Sequence, residues 1–358
     1  MKAAAMHITL PRLSRVLFLL LAFVGATLSI VANAASCKTQ SQMTPAERDA
    51  LSIAARGMIV SVQNGDASGL RAKTLPAVAE DFSGIAESVA TLAPMVQSAT
   101  ITIDTLYALD ASSEPAGVAR TDFYCGNPVV VLNFNNLPPG NYALIIVHAT
   151  GVPKPQQIAL ILAQSPDHRW MLGGFFSRPM TEAGHDGLWY WVSARKFAQK
   201  NMNWDSWFYY RQAAYFLEPV DFLSSPNLEK LQQEQNRVKP TNLPEPQQPL
   251  MIGGQGSMFQ VTTVDTTTTF GPLDLEVAYT PDATQTAQLH DPPAARKQVI
   301  QVMTGLLSLH PELRDAFHGI WVHADQGSVS LFALELPMDQ ITSESQSKAI
   351  TSTTPTLQ

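Results

Sequence analysis

A chain of 358 residues, 45% of them hydrophobic, holds enough apolar material for roughly two packed domains. Charged residues make up only 15% of it, well below the ~25% of an average soluble domain, and the formal net charge is −7. An acidic balance without a Lys/Arg cluster lacks the electrostatic footprint of a nucleic-acid binder, whose affinity rests mainly on phosphate contacts, so nucleic acid is set aside as a partner.

The N-terminal segment 1–36 reads as a signal peptide. Lys2, Arg12 and Arg15 precede an apolar run from Val16 to Val31, and Ala32-Asn33-Ala34 supplies the small residues of a cleavage site. No later stretch of ~20 apolar residues occurs, so the expectation after signal removal is an exported protein, periplasmic or secreted, without a transmembrane span. Cys37 and Cys125 are an even pair in an exported chain and are expected to form a disulfide. Ala34-Ala35-Ser36-Cys37 also faintly resembles a lipobox, which would make Cys37 a lipid anchor instead. The two readings compete for one thiol.

Thr44-Pro45-Ala46-Glu47 opens a helix with a cap, a first-turn proline and a capping-box acid, and Asn64-Gly65 closes it. A second helical stretch spans about Leu75 to Leu92, with Pro94 beyond it. The period then becomes that of strands: Thr100 to Asp104, Val129 to Phe134, Tyr142 to Ala149, and a hairpin from Ile158 to Phe176 around Ser165-Pro166-Asp167-His168. Helices followed by an antiparallel sheet place residues 37–180 in an α+β domain. Residues 181–238 form an aromatic helical hairpin, with Trp189, Trp191, Trp204 and Trp207, followed by a polar Gln-rich helix. The Pro/Gln/Gly composition of 239–257 reads as a linker. Residues 258–338 show ββαββ order, a smaller C-terminal α+β domain, and the Ser/Thr/Gln-rich tail 339–358 is expected to be disordered.

The element order of the first half, ending in a strand with Trp170 and Gly173-Gly174-Phe175-Phe176, resembles the NTF2-like (cystatin-like cone) domain. That resemblance implies helices packed on an antiparallel sheet, a pocket enclosed by the cone, and in some relatives an acidic residue there that moves protons. Asp104, Asp122 and Tyr124 are the strand-associated polar residues that such a pocket would use. In the hairpin, Tyr190, Ala194, Phe197, Ser206, Tyr210 and Ala213 resemble the large and small positions of a single tetratricopeptide-like repeat, with Pro219 one place late. A solenoid needs about three repeats to bury its faces, so one copy reads as a packing element.

The chain has no Gly-x-Ser-x-Gly elbow, no His-Glu-x-x-His helix, no Cys-x-x-Cys and no phosphate loop ending in Gly-Lys. Ser193 and Lys196 match Ser-x-x-Lys spacing, but its partner motifs are missing. His318 and His323 sit at an odd separation, which along a strand points them to opposite faces. No His pair has metal-ligand spacing, so neither a metal nor a cofactor is expected. Gly253-Gly254-Gln255-Gly256 precedes a strand and reads as flexible linker, since a phosphate loop joins a strand to a helix.

Together these features point to an exported, non-enzymatic binding or scaffold protein for an unknown protein or small-molecule ligand. An apolar docking patch is expected near Trp204 or Trp207. The alternative is a small-molecule enzyme working in the cone, with Asp104 or Asp122 as general base.

Overall fold

The computed structural model describes residues 35–254 and 256–342, so the expected signal peptide lies outside it up to Ala34, as does the tail from residue 343. The protein is α+β. Helix α1 (Pro45–Gln63) starts as its sequence dictates. Thr44 accepts from the Glu47 amide and Glu47 reaches back to the Thr44 amide, while Leu51, Ala55, Met58, Ile59 and Val62 form the buried stripe. Two short helices, α2 (Ala67–Arg71) and α3 (Pro76–Ala79), precede α4 (Ser83–Val96). The single helix expected over 75–92 is therefore divided, and it ends later. The Leu75 amide is drawn to Leu172 O at 2.9 Å, and Pro94 falls inside the last turn of α4, where it forfeits one backbone bond while Val96 beyond it is buried.

The first ten strands are β1 (Ser36–Thr39), β2 (Thr100–Asp110), β3 (Arg120–Cys125), β4 (Val130–Asn135), β5 (Asn141–Thr150), β6 (Gln156–Gln164), β7 (Trp170–Pro179), β8 (Thr181–Glu182), β9 (His185–Asp186) and β10 (Leu223–Ser224). The main sheet is antiparallel throughout, in the order β1-β2-β5-β6-β7. Its inner face carries Leu106, Ala143, Ile145, Val147, Leu160 and Leu162, which pack with Leu51, Met58, Val89 and Leu92 of the helices. Strands β3, β4 and β10 form a separate small sheet. With the opposite face of the main sheet they bury Phe123, Leu132, Leu144, Ile146, Ile161, Val220 and Leu223. Burial on both faces explains why β5 and β6 read as continuous apolar runs and not as alternating strands.

Apolar side chains thus pack against both faces of the main sheet. Cys37 of β1 is joined to Cys125 of β3 with Cα atoms 5.1 Å apart, tying the main sheet to the small one. With its sulfur in this bond, Cys37 has no thiol left for a lipid. No helix among the described residues is long and apolar enough to cross a membrane.

The second half contains α5 (Gly187–Gln199), α6 (Asn203–Leu217), α7 (Pro226–Val238), α8 (Ala283–Gln288), α9 (Pro292–Leu309) and α10 (Leu313–Ala316). Its sheet runs β11 (Leu250–Gly254), β12 (Ser257–Thr267), β13 (Asp274–Thr280), β14 (Gly319–Gln326) and β15 (Val329–Pro337). All neighbours are antiparallel except β13 and β14, which α8, α9 and α10 connect as a parallel crossover. Strand β11 corrects the linker expected over 239–257. Gly256, at φ +88°, turns β11 back against β12, Ile252 is fully buried, and Gly305 lets α9 pass close over Ile252. The start of the expected tail is corrected as well. Arg314 donates to Met338 O at 2.6 Å and to Ile341 O at 2.8 Å, which fixes residues 338–341 with Ile341 buried.

The helical hairpin shares one core with this sheet. Tyr190, Trp204, Phe208, Tyr209, Tyr210 and Phe216 are buried together with Phe259, Val277, Val302, Leu306 and Phe317. The proline-rich stretch is thus not where the cores divide. Glu234 of α7 organises the outer side of the hairpin: it accepts from Trp191 Nε1 at 2.7 Å, from Arg195 Nε and Nη2 at 2.7 and 2.9 Å, and from Tyr210 OH at 3.3 Å. Between α6 and α7 the chain returns to the first half, where β10 pairs with β4 and Phe222 packs against Phe134 and Phe176.

Candidate ligand site

One row of residues crosses the whole main sheet at one end of its strands. In register, Ser36 faces Asp110, Asp110 faces Asn141, and Gln164 faces Trp170; Asn141 Nδ2 closes the row by donating to Gln164 Oε1 at 3.3 Å. Paired residues point to the same side of a sheet, so a hydroxyl, a carboxylate, two amides and an indole all face the α1 side. The first turns of α1 stand opposite with Ala46, Glu47, Ala50 and Leu51, and Ala108 lies beneath. Alanines at these three positions leave a cleft of about 530 Å³ between helix and sheet. Trp170 lies against the helix-side core on one side and lines the cleft with the rest of its surface.

The charged groups of the cleft are already committed. Glu47 receives the Thr44 amide at 2.7 Å, pairs with Lys38 Nζ at 3.0 Å and accepts from the Thr44 hydroxyl at 2.9 Å. These bonds hold its carboxyl down at about 2, the Thr44 amide contributing most. Asp110 is lowered by the Ser112 hydroxyl at 2.6 Å and the Ser112 amide at 2.9 Å. Carboxylates held in the ionised form are weak proton acceptors at neutral pH. The cleft can offer hydrogen bonds and an aromatic face. It has no poised acid or base.

The residues expected from the sequence are not brought together. Asp104 is the extra residue of a β-bulge between Ile103 and Thr105; it is exposed, accepts from the Thr105 hydroxyl at 2.7 Å and lies 3.8 Å from His148. Asp122 belongs to the small sheet, where Arg120 Nε pairs with it at 2.8 Å, and Tyr124 is 64% exposed. Trp204 is buried, donating to Asn242 Oδ1 at 3.2 Å and packing on the His310 ring. Trp207 is half-buried with Lys239 Nζ 5.8 Å from its ring centre. The docking patch expected near these two tryptophans is therefore covered by the C-terminal half, and the exposed large apolar side chains of the hairpin are Leu188, Trp189, Val192 and Tyr215.

His148 is half-buried and bonds locally to Gln157 Oε1 at 3.2 Å. His318 pairs with Asp274 and His323 with Glu276, so those two histidines share no site. Among the described residues, one group of three metal-capable side chains does converge, Asp274, His318 and Glu335, and it lies far along the chain from the cleft.

The row Ser36, Asp110, Asn141, Gln164 and Trp170 escaped the sequence reading because five strands contribute one residue each. The available signal was a polar or aromatic residue at the terminal position of every strand, which becomes a site only once the register is known. Comparison with protein-family models, with curated proteins and with solved structures finds no match in any of the three, so geometry and chemistry alone carry the functional reading of this chain.

Proposed function

We propose that this chain is an exported, non-enzymatic binding module whose NTF2-like first half takes a small polyhydroxylated ring, a carbohydrate, in the cleft at the mouth of the cone. The row of Asp110, Asn141 and Gln164 beside Trp170 carries the reading. Planar amides and a carboxylate donate to and accept from neighbouring hydroxyls, while the indole face covers the apolar face of a ring. A wall of alanines leaves room and adds no competing charge. The disulfide and the signal-like N-terminus support export, where such ligands are met outside the cell. The catalytic alternative has less support, because Asp104 and Asp122 are exposed or ion-paired and lie on different sheets.

Titration of the protein with a panel of hexoses, N-acetylhexosamines and disaccharides, followed by nuclear magnetic resonance, tests this reading. At least one member is expected to shift the Asn141 and Gln164 side-chain amide signals and the Trp170 indole signal, with Trp170→Ala weakening binding at least tenfold. Shifts confined to other residues, or none at millimolar sugar, would refute it.

A further inference from the structure

The cluster at the open end of the C-terminal sheet is chemically different from the cleft. We propose that Asp274, His318 and Glu335 form a binding site for one divalent transition-metal ion, independent of the carbohydrate site.

Three separate segments supply the donors. Asp274 is the first residue of β13, His318 immediately precedes β14, and Glu335 lies near the end of β15, in register with Trp321. Their ligand atoms all lie within 4.8 Å of one another, and His318 Nδ1 is 3.1 Å from Asp274 Oδ1. Zinc bonds of about 2.1 Å in a tetrahedral shell set donors about 3.4 Å apart, so small side-chain adjustments close the set.

The acid groups are incompletely compensated by the protein. The Asp274 side chain is fully buried, yet its Oδ2 has no hydrogen-bond partner. A buried, unpartnered carboxylate oxygen is costly. The two carboxylates, Asp274 and Glu335, bring ligand oxygens within 4.8 Å of each other, which places two acids side by side. One imidazolium cannot neutralise both carboxylates; a divalent cation can.

The backbone leaves space at the right point. A Cβ on Gly319 would lie 2.7 Å from Glu335 Oε1 and 3.1 Å from Asp274 Oδ1, so the glycine lets both carboxylates approach the same strand start. His318 is 49% exposed and provides the entry side. Two carboxylate oxygens with one imidazole nitrogen suit zinc or manganese better than calcium, and by the usual affinity order zinc should bind more tightly than manganese.

Calorimetric titration of the untagged mature protein with ZnCl₂, MnCl₂ and CaCl₂ decides the matter. One Zn²⁺ per chain is expected, bound more tightly than Mn²⁺, with calcium producing no saturable heat. Zn²⁺ should also raise the melting temperature. His318→Gln and Glu335→Gln should each weaken Zn²⁺ at least tenfold and abolish that rise. Absence of zinc binding in the unaltered protein would overturn the proposal, as would zinc binding that both variants leave intact, which would place the ion on other histidines. Asp274→Asn is the more drastic change at a fully buried position; if it does not fold, the half-exposed His318 variant decides alone. Sugar titration reads out the cleft separately, so loss of one site leaves the other testable.

Discussion

Asp205 offers the sharpest test of the energetics of this fold. It sits in the first turn of α6 with no exposed surface, and neither carboxyl oxygen has a hydrogen-bond partner. Burial pushes its pKa up to about 8, with Glu312 and Asp315 adding to the shift. In the unfolded chain the group titrates near 3.8. Between these values the folded protein holds a proton that the unfolded chain releases. The contribution of Asp205 is therefore fully present below pH 3.8 and is lost as pH rises through about 8. At ~1.4 kcal/mol per unit, the loss by pH 7 is on the order of 4 kcal/mol. Asp205→Asn removes the titration but leaves an amide with no partners, which costs about 1 to 3 kcal/mol. The variant should thus be less stable than the unaltered protein at pH 4, by about 1 to 3 kcal/mol, and more stable at pH 8, where the loss reaches about 5 kcal/mol, by about 2 to 4 kcal/mol. Urea unfolding followed by tryptophan fluorescence at pH 4, 6 and 8 measures the difference, in which other titrating groups cancel. Parallel stability curves for the two proteins across that range would refute the reasoning.

Two further outcomes are expected. The Cys37–Cys125 bond closes a loop with a sequence separation of 88, so Cys37→Ser with Cys125→Ser should lower stability by about 4 to 5 kcal/mol in the chain-entropy model, read from urea unfolding of the oxidised protein and the variant. Glu234→Ala strips partners from Trp191, Arg195 and Tyr210 at once and should cost about 2 kcal/mol; Glu234→Gln, which keeps the shape and some of the bonds, should cost less by the same assay.

Local signals in the sequence translated well into local structure. The Thr44 and Glu47 capping box depends on a few neighbouring residues, and it forms as its residue types require. What the sequence concealed depends on distant pairing. Val129 to Phe134 reads as one more strand, yet Val130 to Asn135 leaves the main sheet for a small one completed by Leu223 and Ser224. Nothing in a local apolar run specifies its partner. Leu250 to Gly254 follows a proline-rich stretch and contains two glycines, so composition argued for a linker where register with β12 makes a strand. Site residues were the least legible. Asp104 looked like an inward-facing acid until the bulge broke the alternation, whereas Asp274, His318 and Glu335 carry no spacing that could have announced them.

The return of β10 to the first half has a mechanical consequence. The polypeptide passes between the two cores three times: before α5, after α6 and again before α7. Bodies joined by one tether can swivel freely about it, but three neighbouring crossings act as a multiple hinge pin. The Arg178 guanidinium reinforces that pin through Glu218 O at 2.6 Å and the Asp221 carboxylate. Rotation of one half against the other would have to unzip β10 from β4 first. No single cut separates the halves either. Severing the chain near residue 180 or near residue 240 leaves one fragment without a strand or helix that the other still carries, so the protein is built to be used as one piece.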